Sequence, residues 1–388
     1  MKIVVGVLFG GQSAEHDISI RSSKFVIEHL DCSKYDLLPI GIDKQGEWFF
    51  FNGEKFRSSI AQGHIPLFCK ENPNFPLIFR AFTEKELLLA PSALRKMVDL
   101  IFPVLHGPYG EDGSLQGLMQ LANIPYVGSA VLSSAICMDK IVMKNLLKSA
   151  ALPVVRYLSL HCADSIDVDT IVAKLKLPLF VKPANLGSSV GISKIRTKKE
   201  FLSCVHQAFL YDEHVIIEEC IEGREFECSI LGNFDLIVSP PGEIIPSHEF
   251  YSYTAKYLDP DGAIFEVPAQ IDLPTIEKMQ HLAARAYKVL RCEGMARVDF
   301  FLRQSGEVVI NELNTIPGFT AISLYPRLLQ LSGITPSELI DRLIHCAIDR
   351  FEKRAALRTT LQAEGDVTIF PSQSTHCDRC LDKQNLGL

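Results

Sequence analysis

The stretch Arg297-Val-Asp299-Phe-Phe-Leu-Arg-Gln-Ser-Gly-Glu-Val-Val-Ile-Asn311-Glu312-Leu-Asn314 holds the residue types of a metal-assisted anion site. It reads as two strands joined at Ser305-Gly306, a dipeptide that favours a tight turn. If the loop has two residues, cross-strand partners carry numbers that sum to 611, which sets Asp299 opposite Glu312 and Arg297 opposite Asn314. Side chains two apart on a strand share a face, and opposed Cβ atoms lie about 5 Å apart. Two carboxylates that close repel one another unless a cation lies between them. Asp, Glu and the Asn amide oxygen are hard donors that Mg²⁺ accepts alongside phosphate and water, and Arg297 on the same face can meet a developing oxyanion. This chemistry favours a metal site over a solvated hairpin face, and a register slip of one residue would dissolve it.

A second candidate is Lys182-Pro-Ala-Asn-Leu-Gly-Ser-Ser-Val-Gly191, whose backbone N–H groups and lysine suit a phosphate. It is no Walker loop, because the chain has no Gly-Lys-Ser/Thr and a β-branched segment, not a helix, follows. Strand, loop and strand make a hairpin flap. Gly187, Ser189 and Gly191 also match Gly-x-Ser-x-Gly, but a hydrolase elbow needs a strand-to-helix turn, so that reading ranks below an exposed turn. Asn314-Thr-Ile-Pro-Gly-Phe-Thr320 ends its strand in a tight turn before a helix over 321–331. Its N–H groups can hold a carboxylate or oxyanion, although by itself it reads as a simple connection. Glu15, just after Gly10-Gly11, can take an ammonium at a sheet edge; taken alone, it complements a helix start. His106 taken alone is a satisfied turn histidine.

The elements that must position these residues follow an α/β pattern, short β-branched runs alternating with longer amphipathic stretches. Strands are expected over 3–8, 37–42 and 98–105, with helices over 17–30 and from 114, and an irregular stretch over 48–89. A second unit reads helix 131–150, strand 154–160, helix 166–176, strands 179–182 and 190–195, helix 198–210 and strand 214–218. A third holds strand 225–231, a polar loop over 248–262, helix 275–290, then the hairpin and two helices. The 388 residues predict two or three domains at about 100–200 residues each.

With 39 basic against 46 acidic residues the chain lacks the excess of a nucleic-acid binder, so anionic substrates need local basic groups. No apolar run approaches the roughly 18 residues that span a bilayer. One lysine, a short apolar run and no cleavage site make the amino terminus a first strand and not a signal peptide, which points to the cytoplasm. Eleven scattered cysteines read as reduced core thiols. The Cys377-x-x-Cys380 pair beside His376 reads as part of a flexible tail and not a metal site.

Together these segments resemble the D-alanine:D-alanine ligases, an ATP-grasp family, over roughly residues 1–350. The resemblance rests on eight motifs in order: Phe9-Gly-Gly-Gln-Ser-Ala-Glu-His16, His106-Gly-Pro-Tyr-Gly-Glu-Asp-Gly113, Met138-Asp-Lys140, 181–191, Glu225-Phe-Glu227, Ala255-Lys-Tyr257, Arg297-Val-Asp299 and 311–320. It implies three α/β domains: a Rossmann-like pre-ATP-grasp domain over 1–128 and ATP-grasp parts over 129–218 and 219–360. ATP would lie between the last two, with a tail over 361–388. The implied reaction joins two D-alanines for peptidoglycan through a D-alanyl phosphate, in a cytoplasmic homodimer with no nucleic-acid or membrane partner.

The resemblance also implies roles. Lys140 and Lys182 hold ATP phosphates with Ser188 and Ser189 of the flap, and Lys256 approaches the γ-phosphate. Glu218, Glu219 and Ile221 meet adenine, Glu225 takes the ribose, and Asn311 joins Glu312 at the nucleotide. Asp299, Glu312 and Asn314 ligate two Mg²⁺, with Mn²⁺ able to replace them, and the metals neutralise the transferring phosphoryl group. Glu15 binds the first ammonium with His106 nearby, Arg297 and the Gly318 N–H meet the oxyanion, and Ser323 and Leu324 hold the second carboxylate. Ser188, Tyr257 and Glu15 fix the closed site under a lid that keeps water out. Tyr257 favours D-alanine over D-lactate as second substrate; a ligase that takes D-lactate or D-serine second is the nearest rival, which substrate profiling separates. Cys220 departs from the larger residue common there and leaves the adenine contacts less defined. A catalytically silent nucleotide-binding regulator is the rival from another class, and intact Arg297, Asp299, Glu312 and Asn314 argue against it.

Overall fold

β1 (Ile3–Gly10) sends Val5, Val7 and Phe9 into one apolar cluster and Leu8 into another, as a strand covered on both faces of a parallel sheet must. The computed structural model describes residues 2–64, 79–81, 91–247, 259 and 262–358. β1 pairs in parallel with β2 (Tyr35–Ile42), and β3 (Trp48–Phe50) and β4 (Phe79–Ala81) extend that side antiparallel; on its other side β1 pairs in parallel with β5 (Leu100–Pro103). Helices α1 (His16–His29) and α2 (Gly53–Ala61) cover one face with Val26, Ile27, Phe56 and Ile60. α3 (Pro91–Met97) and α4 (Ser114–Leu121) cover the other with Leu94, Leu115 and Met119.

Residues 48–89, expected to be irregular, contain β3, α2 and β4 among the described positions. The reason is burial: Phe56 lies 5.5 Å from Phe9 and 5.3 Å from Phe51 between ring centroids, and the Asn52 side chain caps α2 at the Lys55 N–H. The helix expected over 131–150 is two, α5 (Val131–Met138) and α6 (Lys140–Ser149). They break at Asp139, whose carboxylate accepts from the Ile141 and Val142 N–H groups.

The second sheet runs β6 (Tyr157–His161), β9 (His214–Glu219), β7 (Leu179–Pro183), β8 (Ser193–Ile195), every neighbour antiparallel. α7 (Val168–Leu175) and α8 (Lys198–Ala208) seal one face with Ile171, Leu175, Phe201 and Val205. β6 starts later than expected because 153–155 instead bridges to Ile310 of another sheet.

That third sheet is built on β10 (Gly223–Leu231), flanked by β11 (Ile237–Val238) and by β12 (Gly242–Pro246) with β13 (Ala263–Glu266). Its other side is β14 (Met295–Arg303) and then β15 (Val308–Asn314). α9 (Leu273–Val289) packs Met279, Ala283 and Ala286 against Phe226, Cys228, Ala296, Val298 and Phe300. Because side chains alternate, Glu225, Glu227, Arg297 and Asp299 take the opposite, open face. α10 (Leu324–Leu331) begins three residues later than expected, and α11 (Pro336–Ala355) follows.

One compact unit spans Met1–Phe351 and a second Glu352–Leu388, of which 352–358 are described. Among the described residues, no helix is long and apolar enough to cross a membrane.

Candidate active site

The β14–β15 hairpin sets the geometry of the open face. Gly306, at φ +82°, and the bond from the Arg303 N–H to the Glu307 carbonyl make the loop three residues long and not two. Partner numbers near the turn therefore sum to 610, as for Leu302 and Val308. A bulge then inserts Asn311 as an extra residue on β15. It restores the pairs Asp299–Glu312 and Arg297–Asn314. The core shows the same step: Val308 and Ile310 point inward, then Leu313 and not Glu312.

Arg297 lies among the carboxylates. Its Nε and Nη2 donate to Asp299 at 2.7 and 2.6 Å, and Nε is 3.1 Å from Glu227. Burial opposes the guanidinium charge, but Asp299 and Glu227 outweigh it and hold Arg297 protonated well above its usual range. Asn314 Nδ2 donates to Asp299 Oδ2 at 3.2 Å.

Two cavities adjoin this face. The first, of about 440 Å³, is lined by Lys140, Lys182, Ser188, Ser189, Glu218, Glu219, Ile221, Glu225, Asn311 and Glu312, together with Asp299. Every nucleotide residue implied above except Lys256 is thus brought together there. Lys140 Nζ donates to the Leu186 carbonyl of the flap at 2.5 Å and lies 3.9 Å from Glu312. Lys182 Nζ is 2.6 Å from Glu218, whose other oxygen is 2.9 Å from Lys144. Burial pushes the Glu218 carboxyl up, yet the two lysines outweigh it and bring it down to about 2. Burial also pulls Lys182 down, and Glu218 and Glu312 more than offset it. The Glu219 carboxylate is taken up by Arg156 at 2.8 and 2.9 Å and by Arg303, so Glu219 meets any ligand mainly through its main chain.

The second cavity, of about 670 Å³, is lined by Glu15, His106, Arg297, Gly318, Ser323 and Leu324, and shares Ser188 and Glu312 with the first. Glu15 stands at the N-cap position of α1 without a side-chain capping bond and is 8 % exposed. The flap reaches it: the Ser188 hydroxyl donates to Glu15 Oε1. His106 has both ring nitrogens engaged. Nδ1 faces the Ile316 carbonyl at 3.1 Å and must donate, which leaves Nε2 to accept from the Ser22 hydroxyl at 3.1 Å. Burial lowers its pKa, consistent with that neutral ring. Ser323 Oγ accepts from the Thr320 N–H at 3.1 Å and lies 2.7 Å from the Thr320 hydroxyl.

Three charged residues here carried no role in the sequence reading. Lys144 follows Lys140 by one helical turn, a spacing that could have revealed it. Glu227 shares a strand face with Glu225. Glu111 accepts from the Gly107 N–H at 2.7 Å and the Ile316 N–H at 3.3 Å, and burial, aided by the charge of Glu15, raises its pKa to about 8. Lys256, Tyr257 and the His376-Cys377-Asp378-Arg379-Cys380 segment lie outside the described residues.

Among the described residues no three His, Cys, Asp or Glu side chains form a metal-ligand group. Asp299, Glu312 and Asn314 still fit a hard divalent cation that brings phosphate and water, since they put two carboxylates and an amide on one partly exposed face.

The chain matches the family described as "D-ala D-ala ligase N-terminus" over residues 4–129 and that described as "D-ala D-ala ligase C-terminus" over 146–345. It is 44 % identical to the D-alanine–D-alanine ligase of Oceanobacillus iheyensis over 364 residues, 93 % of this chain and 99 % of that protein. It is likewise 44 % identical to D-alanine–D-alanine ligase A of Escherichia coli over 365 residues, 93 % of this chain and all of that one. Among solved structures, the D-alanine–D-alanine ligase from Coxiella burnetii matches with a TM-score of 0.76 at 36 % identity, covering 91 % of this chain and 96 % of the other. VanG, a D-Ala:D-Ser ligase from Enterococcus faecalis, matches at 0.72 and 37 %, covering 89 % and 100 %.

Proposed function

The chain belongs to the D-alanine–D-alanine ligase family, with the ATP-grasp fold, and on that premise we propose how its own residues carry the reaction. It joins two D-alanines at the expense of ATP, the step that supplies the dipeptide of peptidoglycan precursors. The family uses ATP and a divalent metal. The observation that carries the proposal is the adjoining of a cavity lined by Lys140 and Lys182 to one lined by Glu15 and Arg297, with Glu312 and Ser188 facing both.

In this reading Lys140 and Lys182 bind the phosphates of ATP, the Ser188-Ser189 flap covers them, Glu218, Glu219 and Ile221 border the adenine, and Glu225 takes the ribose. Glu15 binds the ammonium of the first D-alanine, whose carboxylate oxygen attacks the γ-phosphorus as ADP leaves. Arg297 and the Gly318 N–H stabilise the oxyanion formed when the second amine attacks the acyl carbon; phosphate then leaves and the amine gives up a proton. Ser323 and the Leu324 N–H at the start of α10 hold the second carboxylate. His106, with both nitrogens committed, serves by fixing the loops around Ile316 and Phe319. Asp299, Glu312 and Asn314 would hold two Mg²⁺, replaceable by Mn²⁺, which would supply charge neutralisation at the transferring phosphoryl group. The resemblance gives Lys256 a role at the γ-phosphate and Tyr257 one in second-substrate choice, and both lie outside the described residues.

We propose further that the enzyme works as a homodimer in the cytoplasm, where ATP is available. It needs no nucleic-acid or membrane partner, and its net charge of −7 supports the first absence. Domain boundaries near 128 and 218 are part of the same reading, supported by the end of the amino-terminal family match at residue 129.

Phosphate release from ATP and Mg²⁺ tests the reading, with D-alanine against L-alanine, D-serine and D-lactate and the product identified by mass. Release tied to D-alanyl-D-alanine is expected. Preferential formation of the D-serine or D-lactate product would move the second-substrate assignment.

A further inference from the structure

We propose that Lys144 is a positioning residue that pins the β15 bulge and thereby sets the metal-donor face. It lies one turn after Lys140 on α6, it is 1 % exposed, and it is absent from the walls of both cavities, so it can act only through its neighbours. Its ammonium donates to the Asn311 carbonyl at 2.7 Å and is 2.9 Å from Glu218.

Asn311 is the extra residue of the bulge, and a bulged residue drops out of the strand ladder and needs another partner. The free edge of β15 is paired up to Ile310, whose N–H donates to the Pro153 carbonyl at 2.8 Å and whose carbonyl accepts from the Val155 N–H at 3.3 Å. Lys144 takes the next carbonyl along. Without the bulge the three-residue hairpin loop would carry the 610 register onward and bring Asn311 opposite Asp299. Glu312 and Asn314 would then turn toward α9 and the core, because a one-residue slip exchanges the faces.

The contact with Glu218 extends the same support to the nucleotide side. Glu218 holds Lys182 at 2.6 Å, and Lys144 balances the second oxygen, so one buried ammonium fixes both a phosphate-binding lysine and the strand register of the metal donors. The inference rests on reading Asp299, Glu312 and Asn314 as metal donors.

The test uses the full chain with Lys144→Met, Glu218→Gln and the double variant. Mn²⁺ affinity is measured by electron paramagnetic resonance in the presence of ADP, a readout that needs no turnover. Lys144→Met is expected to weaken Mn²⁺ binding by about 10- to 100-fold, the range for groups that orient metal ligands, and the loss should persist in the double variant. If Lys144 serves only to neutralise Glu218, the double variant binds Mn²⁺ as Glu218→Gln does, and the proposal is overturned. Unchanged affinity in Lys144→Met overturns it equally. Should Lys144→Met fail to fold, the double variant, whose buried carboxylate is gone, decides by the same comparison with Glu218→Gln. The unaltered chain is run alongside: no Mn²⁺ binding with ADP there would sink the metal reading itself, a result distinct from a variant that binds normally.

Discussion

The hydroxyl of Ser188, at the tip of the β7–β8 flap, donates a hydrogen bond to the carboxylate of Glu15, the residue just before the first helix of a different sheet layer. Ser188 and Ser189 hold positive φ angles of 51° and 60° to make that reach. The contact joins the wall of the nucleotide cavity to the group proposed to take the first ammonium.

Ser188→Ala removes a hydrogen bond to a charged acceptor, an interaction of about 1.5–3 kcal/mol. The expected result is a fall in kcat/KM for D-alanine of about 10- to 100-fold. Steady-state kinetics with both substrates varied would read it, and an unaltered kcat/KM would leave the latch without a role.

Gly107 has φ +77°, and a Cβ there would lie 2.6 Å from Glu15 Oε2. Gly107→Ala therefore strains the backbone by about 1–2 kcal/mol and displaces the Glu15 carboxylate. A lower melting temperature should accompany a raised KM for D-alanine. A stability loss with a normal KM would separate the turn from the binding group.

Glu312→Ala should cut Mg²⁺-dependent phosphate release by about 100-fold or more while the far-ultraviolet circular dichroism stays native. Its side chain faces a cavity, so its removal opens no hole in the core. Near-normal turnover would end the metal assignment.

Arg297 neutralises Glu227 and Asp299 together. Arg297→Met leaves two poorly solvated carboxylates facing one another, a loss of about 3–5 kcal/mol for a broken buried pair. Adding Asp299→Asn should recover part of it. Chemical denaturation of the single and double variants reads the recovery, and strict additivity would show the charges to be independent.

The Glu111 carboxyl is raised from 4.5 to about 8 by burial and by Glu15. A raised acid pKa gives stability that is fully present below the unfolded value and is lost as pH climbs through the folded one. The substrate-free enzyme should thus lose up to about 1.4 kcal/mol per pH unit from this group between roughly pH 4.5 and 8. Glu15→Gln should lower the Glu111 pKa and flatten that slope. Urea denaturation at pH 5.5 and 8.5 on both chains checks it; equal slopes would remove Glu15 as a cause.

The site residues were legible where chemistry and alternation fall on the same short segment. Arg297, Asp299, Glu312 and Asn314 announce hard donors beside a guanidinium, and the pairing inferred for them is the one observed. It was reached through two errors that cancel: a loop taken one residue too short and a bulge not seen. The step from Ile310 to Leu313 in the apolar pattern carried the missing signal. The stretch over 48–61 was misread for a related reason: Phe51, just after β3, and Phe56 of α2 pack on Phe9 of β1, a partner more than 40 residues away.

What the sequence determined by itself was the inventory: an α/β chain, a loop fit for phosphate, a turn fit for a carboxylate or oxyanion, a donor hairpin, and motifs in a family's order. Tertiary structure alone decided which of these groups meet. Lys144 reaches Asn311 across 167 residues and Ser188 reaches Glu15 across 173. Such contacts follow from the packing of whole layers, and a buried ammonium or hydroxyl takes whatever acceptor that packing delivers. Spacing along the chain encodes a face and a period, but not the partner on another element that burial obliges each polar group to find.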